Sequence, residues 1–247
     1  VGQMHAVLAR EAPGVPVIDL FHSVPAFNIR AGAYLLPAYA RDFPPGTVFV
    51  GVVDPGVGGA RRPVMLQADR RWYVGPDNGL FEMVRRRAVE HECRIIRWRP
   101  PQMSASFHGR DLFAPVAARL ARGEMPDFEA ASHFPERRST ESLRVRGEIP
   151  DSEPAEISWP DDLAEIIHID HYGNGITGLR AVSVSTTQAV RVGGEVLKYA
   201  RVFSEVPPGT AFWYENANGL VEIAVNGGSA AAQLGLRPGD PLKLIQP

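Results

Sequence analysis

Residues 48–64 read VFVGVVDPGVGGARRPV, an apolar, β-branched run that delivers Asp54 into a Pro-Gly-Val-Gly-Gly turn, with Arg61 and Arg62 directly behind it. A carboxylate at the end of a buried strand is costly unless it is paired or used. The loops at the carboxyl ends of strands are also where α/β proteins hold their sites. Two phosphate-cradling patterns are excluded here. A P-loop needs Lys-Ser/Thr after its last glycine, where this chain has Ala60-Arg61, and the dinucleotide GxGxxG is absent. A tight turn carrying an exposed arginine is the plain structural alternative.

Four further segments carry polar groups beside glycines. GPDNGLF (75–81) places Asp77 and Asn78 in a strand-to-helix turn, where either suits a helix cap. SASFHGRDLFAP (104–115) sets His108, Arg110 and Asp111 at the start of a helix. A histidine in a glycine-flanked loop, in a chain already offering a carboxylate and an arginine, is a catalytic candidate. HSVPAFNIRAGA (22–33) adds an aromatic, Phe27, in a loop before a helix, and HIDHYGNGITG (168–178) gathers Asp170, Tyr172 and Asn174. A flat ring beside a carboxamide suits a purine, one to stack and one to hydrogen-bond; a β-turn with a packed tyrosine is the alternative.

The elements that must position these residues change character midway. Up to about residue 130, strand and helix signals alternate, including a strand at 15–24, a helix bent at Pro37 and a hairpin turning near Asp69 and Arg70. That alternation predicts an α/β N-terminal domain, residues 1–150, with a mostly parallel central sheet. GEIPDSEPAEISWPDDLAE then holds three prolines, seven acidic residues and no basic one, which predicts an acidic, solvated linker at 151–163. Short strands between Gly, Asn and Pro turns, ARVFSEV among them, predict a small all-β barrel at 164–247.

The composition narrows the class. The chain has 247 residues, 45% apolar and 22% charged, with a net charge of −2, so nothing draws the whole molecule toward nucleic acid or a membrane surface. A single cysteine, Cys93, excludes an internal disulfide and a cysteine-based zinc site, and reads as a buried thiol. No apolar stretch has membrane-spanning length and no signal peptide is visible, which makes the cytoplasm the expected compartment. The chain opens at Val1 inside an expected helix, so a preceding segment is expected.

In order along the chain, VVDPGVG, PDNGL, FHGRDLFAP, DHYGN and NGLVEIAVN resemble the S-adenosylmethionine hydroxide adenosyltransferases, relatives of the bacterial fluorinase and chlorinase. The resemblance implies hydrolysis of S-adenosylmethionine to adenosine and L-methionine. It implies an α/β domain followed by a β-barrel, and a homotrimer with each active site between the first domain of one subunit and the second of its neighbour. The family's catalytic Asp-Arg-His set falls on Asp54, Arg61 and His108, holding a water for attack on the ribose 5′ carbon. Tyr172 matches the adenine-stacking ring, Asn174 the adenine-binding amide, and Asp170 the carboxylate that meets the methionine amine. Phe27 matches an aromatic near the sulfonium, and Asn226 and Gly227 lie where backbone meets the purine. Ala217 stands where relatives usually carry serine. No cofactor and no metal are implied, since S-adenosylmethionine is the substrate. Whether Asp54 or His108 takes the proton stays open at this level. So do two rival functions, a halide-using adenosyltransferase and an adenosine-binding protein without turnover.

Overall fold

A computed structural model describes residues 1–131 and 157–246. The first half contains α1 (Gly2–Glu11), α2 (Ile29–Ala40), β1 (Val48–Val50), β2 (Pro63–Ala68), β3 (Arg71–Pro76), α3 (Glu82–Arg87), β4 (His91–Ile96), α4 (Ala114–Ala121) and β5 (Phe128–Ala130). A π-helical turn, Gly109–Phe113, leads into α4. The second half contains β6 (Leu163–Ile169), β7 (Gly175–Arg180), β8 (Ala189–Val192), β9 (Glu195–Leu197), β10 (Ala211–Glu215), β11 (Leu220–Val225), α5 (Ala230–Leu234) and β12 (Lys243–Ile245).

The first five strands form one sheet in the order β1-β3-β2-β4-β5. Only β1–β3 is parallel; the other three neighbouring pairs are antiparallel, which corrects the expected mostly parallel sheet to a mixed one. The cause is local. Asp69 and Arg70 both take positive φ, which folds β2 directly back into β3, and no helix separates the two strands. The expected strand at 15–24 joins no ladder and has no regular secondary structure. Beyond β1 the chain stays extended, with Gly51 N–H donating to Val74 O at 3.0 Å. Gly51 and Gly75 are glycines for a steric reason, since a Cβ on Gly75 would stand 2.2 Å from Gly51 O.

The second half holds a four-stranded sheet, β10-β11-β7-β6, and a three-stranded one, β12-β8-β9. Isolated bridges, Glu165 with Pro241 and Tyr199 with Trp213, are what connect their margins. Among the described residues the expected all-β barrel therefore takes the form of two sheets joined at their margins by single bridges, not one continuous ladder. ARVFSEV, read as a strand, instead makes a 3₁₀ turn at Phe203–Glu205.

The two halves share a core. Ala31, Tyr34 and Leu35 of α2 pack with Leu163, Ile176 and Leu220 of the second half. At the rim of this contact, Arg30 Nη2 donates to both carboxylate oxygens of Glu165 at 2.7 Å. The expected linker lies outside the described residues as far as residue 156, as does the boundary at residue 150. Residues 157–163 are not a free solvated tether, because Arg86 donates to the carbonyls of Ile157 and Trp159, and Tyr34 donates to that of Pro160. No described helix is long and apolar enough to cross a membrane.

Candidate active site

Asp54 sits four residues past β1, where the extended chain turns. Val57 N–H closes that turn on Asp54 O, and Gly58 takes a φ of +80°. The turn returns Arg61 onto Asp54. Arg61 Nε donates to Asp54 Oδ1 at 3.0 Å, and Nη2 pairs with Oδ2, a two-point fork. The Asp54 side chain is 4% exposed and that of Arg61 10%, so this is a buried ion pair. The guanidinium also lies 5.3 Å from the centre of the Phe113 ring.

His108 comes from the other side, at the start of the π-helical turn. Arg61 Nη2 lies 2.8 Å from His108 Nδ1. A guanidinium has hydrogens to give and no lone pair to accept with, so Nδ1 is the acceptor and the ring is neutral with its hydrogen on Nε2. Burial, together with the charge of Arg61, lowers the His108 pKa from its ordinary value and favours the same neutral form. The loop is fixed from both ends. Ala105 O lies against Gly58, where a Cβ would approach it to 2.7 Å. Asp111 Oδ2 accepts from Ser104 N–H at 2.8 Å, and Arg110 grips the same carboxylate and holds it below the usual range. Asp111 is therefore a loop-former.

Asp77 and Asn78 do not cap α3, whose N-cap is Phe81. Asp77 pairs with Arg62 at 2.7 Å. Asn78 donates to Val53 O at 2.8 Å and accepts from Leu80 N–H at 3.2 Å, tying the strand end that carries Asp54 to the following turn.

Asp170, Tyr172 and Asn174 form the turn between β6 and β7. Asp170 Oδ1 accepts the backbone N–H groups of Tyr172 and Asn174 at 2.9 and 2.8 Å, and Oδ2 accepts from Asn174 Nδ2 at 3.2 Å. Gly173 takes a φ of +84°, and a Cβ there would strike Ser229 at the start of α5. Asn226 N–H donates to Thr210 O and its Nδ2 to Val206 O at 2.7 Å; Gly227 follows with a φ of +70°. Ala217 O accepts from Arg41 Nη2 at 3.0 Å. Phe27, also at positive φ, is 80% exposed, and Tyr172 is 76% exposed.

Within the chain the structure thus makes two separate groups. Arg61 touches both Asp54 and His108, and Asp170 touches Asn174; among the described residues no hydrogen bond, ion pair or ring contact links the two groups. A cavity of about 930 Å³ adjoins Asp54 and Phe27, but its walls are mainly apolar and do not include Arg61 or His108. The described residues contain no group of three or more His, Cys, Asp or Glu side chains able to hold a metal ion.

Sequence reasoning passed over Glu222, buried on β11. It accepts from Tyr214 OH at 2.6 Å and from Asn216 Nδ2 at 2.8 Å, and burial pushes its pKa up. Asn216 Oδ1 in turn accepts from the N–H groups of Asn218 and Leu220, so Glu222 anchors the loop that carries Ala217. The available signal was a lone acid inside the apolar run LVEIAV.

Comparison with known proteins agrees along the whole chain. Residues 1–130 match the model of the SAM hydroxide adenosyltransferase N-terminal domain, and residues 164–243 that of the C-terminal domain. A protein of Salinispora arenicola (strain CNS-205) named (R)-S-adenosyl-L-methionine hydrolase is 39% identical over 249 residues, covering 99% of this chain and 92% of that protein. A fluorinase of Nocardia brasiliensis is more distant, 25% identical over 281 residues, covering 97% and 90%. The crystal structure of an uncharacterized conserved protein from Thermotoga maritima superimposes with a TM-score of 0.78 at 29% identity, covering 99% and 94% of the two chains. With both domain models matched in order, this chain belongs to the SAM hydroxide adenosyltransferase family.

Proposed function

We propose that this protein hydrolyses S-adenosylmethionine to adenosine and L-methionine, in the cytoplasm, by in-line attack of a water on the ribose 5′ carbon. The observation that carries the reading is the convergence of Asp54, Arg61 and His108 from two separate loops, in a chain of this family. A sulfonium leaves readily, because the C5′–S electron pair neutralises sulfur and gives the methionine thioether. The protein's task is therefore to aim the water and receive its proton. Correct placement alone lowers such barriers by about 7–11 kcal/mol in favourable cases.

The hydrogen-bond pattern supports Asp54 as the proton's destination. His108 Nδ1 is engaged by Arg61 and its Nε2 already carries hydrogen, so the ring can donate to the water oxygen but not take its proton. Arg61 is a permanent cation. Asp54 retains lone pairs beyond those used by Arg61 and is the acceptor. The water becomes strongly acidic as its oxygen bonds to carbon, so a weakly basic carboxylate suffices. The same buried carboxylate argues against a halide, since two anions would share a small dry space.

For the substrate, Tyr172 stacks on adenine, Asn174 hydrogen-bonds it, and Asp170 faces the methionine ammonium. Phe27 offers its π-face to the sulfonium, and the backbone at Asn226 and Gly227 lines the purine. A catalytic first domain and a binding second domain, assembled as a homotrimer, bring the two groups together across subunits. The exposure of Phe27 and Tyr172 and the separation of the groups within one protomer support that arrangement. Incubation with S-adenosylmethionine, followed by chromatography, should give adenosine and methionine in equal amounts, and no 5′-halo-adenosine when fluoride or chloride is added. Mixing inactive Asp54→Ala subunits with inactive Tyr172→Ala subunits should restore turnover; if the mixture stays dead while subunits exchange, the shared site is refuted.

A further inference from the structure

A second pocket, of about 360 Å³, lies where the two halves meet, and four arginines stand in its walls: Arg41, Arg71, Arg87 and Arg180. They come from the end of α2, the start of β3, the end of α3 and the end of β7. Only two carboxylates, Asp69 and Glu215, share the lining, so positive charge is in excess. Asp69 Oδ1 is taken up by the N–H groups of Val89 and Glu90, and Glu215 is exposed and pairs with none of the four arginines. Arg180 is matched, since Asp162 accepts its fork at 2.8 and 2.6 Å. Arg41 leans on Asp42 at 3.3 Å and donates to Ala217 O. Arg71 and Arg87 differ. Arg71 gives hydrogens to the carbonyls of Phe43 and Arg41, and Arg87 to that of Asp161; among the described residues neither makes an ion pair. Both are partly buried. Burial and the neighbouring charge of Arg180 push the Arg87 pKa below its ordinary value, and Asp162 and Asp161 do not make up the difference. A partly dehydrated cation without a counter-ion is costly, and an anion entering here would offset that cost.

We propose that this pocket binds a small organic phosphate monoester, its phosphate between Arg71 and Arg87 and its organic part against the buried Ala38, Ala68 and Leu220. Guanidinium forks match phosphate oxygens two at a time, and a dianion answers two unpaired cations where a halide or a carboxylate answers one. The volume falls in the range of small-molecule sites and exceeds a bare phosphate, and the apolar floor gives the remainder of the ligand a surface to cover. The site is separate from the one described above. None of Asp54, Arg61, His108, Asp170, Tyr172 or Asn174 lines it. Arg180 closes β7 and Asn174 precedes its first residue, so the two lie about 20 Å apart along the strand. The proposal therefore stands independently of the hydrolase reading.

Calorimetry on the full chain tests this, with phenyl phosphate, inorganic phosphate and phenol as probes at constant ionic strength. Phenyl phosphate should bind with a Kd of about 10⁻⁴ M, inorganic phosphate about tenfold more weakly, and phenol not at all. Arg71→Gln and Arg87→Gln should each weaken phenyl phosphate about tenfold, the loss of one charge-assisted contact. Val182 lines the pocket and is 89% exposed, so Val182→Asp adds a negative charge at the mouth without disturbing the core. It should weaken phenyl phosphate about fivefold, and it keeps the test decisive if an arginine variant fails to fold. No binding at millimolar phenyl phosphate overturns the proposal, as does binding that Val182→Asp leaves unchanged. Equal affinity for phenyl phosphate and inorganic phosphate refutes the monoester. Phenyl phosphate that inhibits S-adenosylmethionine turnover competitively also overturns the proposal, because the anion would then occupy the substrate's own site.

Discussion

Replacing Asp54 with asparagine keeps the side chain's shape and removes its charge. Arg61 then becomes a buried cation, 10% exposed, facing an amide where it had two carboxylate oxygens. Breaking one side of such a pair costs about 3–5 kcal/mol, because the remaining ion stays desolvated. Arg61→Gln strands the carboxylate, which is 4% exposed, at a similar cost. The double variant leaves no orphan charge, so its penalty should fall short of the summed single penalties by about 3 kcal/mol. Urea unfolding of the four proteins measures this, provided the denaturant slopes agree. Adenosine release should fall by about 10²–10⁴-fold in Asp54→Asn, the contribution of a proton acceptor. Penalties that add within about 0.5 kcal/mol would show that the two groups do not share a dry environment, and the account of the fork would be wrong. Near-normal turnover in Asp54→Asn would remove Asp54 from the proton transfer.

Three other outcomes are expected. Because His108 must be neutral to accept from Arg61, and burial lowers its pKa, the acid limb of the kcat/KM profile should lie below the ordinary histidine value of about 6.5; a midpoint above 7 contradicts this. His108 and His168 both have pKa values lowered chiefly by burial, so the unfolded chain takes up protons first as pH falls. Stability should accordingly be full above about pH 7 and decline below 6.5, by up to about 1.4 kcal/mol per pH unit for each group, and a urea midpoint that rises between pH 7.5 and 5.5 excludes the assignment. Gly75→Ala drives a methyl into Gly51 O and should cost about 3 kcal/mol, a loss that thermal melting would register; an unchanged melting temperature shows that β1 and β3 can separate freely.

The trio was legible because each member stands in a segment whose local chemistry is unusual. Asp54 ends an apolar run, Arg61 follows a glycine turn, and His108 sits beside a glycine at a helix start. Strand direction was less legible. Residues 15–24 have the composition of a strand, yet a strand exists only where a neighbour receives its hydrogen bonds, and composition does not supply the neighbour. The hairpin at Asp69 and Arg70 was foreseen, but its consequence for the sheet, an antiparallel majority, depends on how β4 and β5 add to it. Residues 157–163 looked like tether because of their acids, whereas Trp159 and the carbonyls around it are held by α2 and α3. Glu222 stayed hidden because its partners lie six and eight residues away along β10 and the adjoining loop, and no single window of sequence shows a carboxylate with its donors.

Because α2 belongs at once to the first half's fold and to the core it shares with β6, β7 and β11, the chain has no jaw to open. Swinging the halves apart would expose Tyr34, Leu35 and Ile176 to water and break the Arg30–Glu165 clasp. Rearrangement that keeps this core intact is therefore confined to surface loops, such as those from which Phe27 and Tyr172 project.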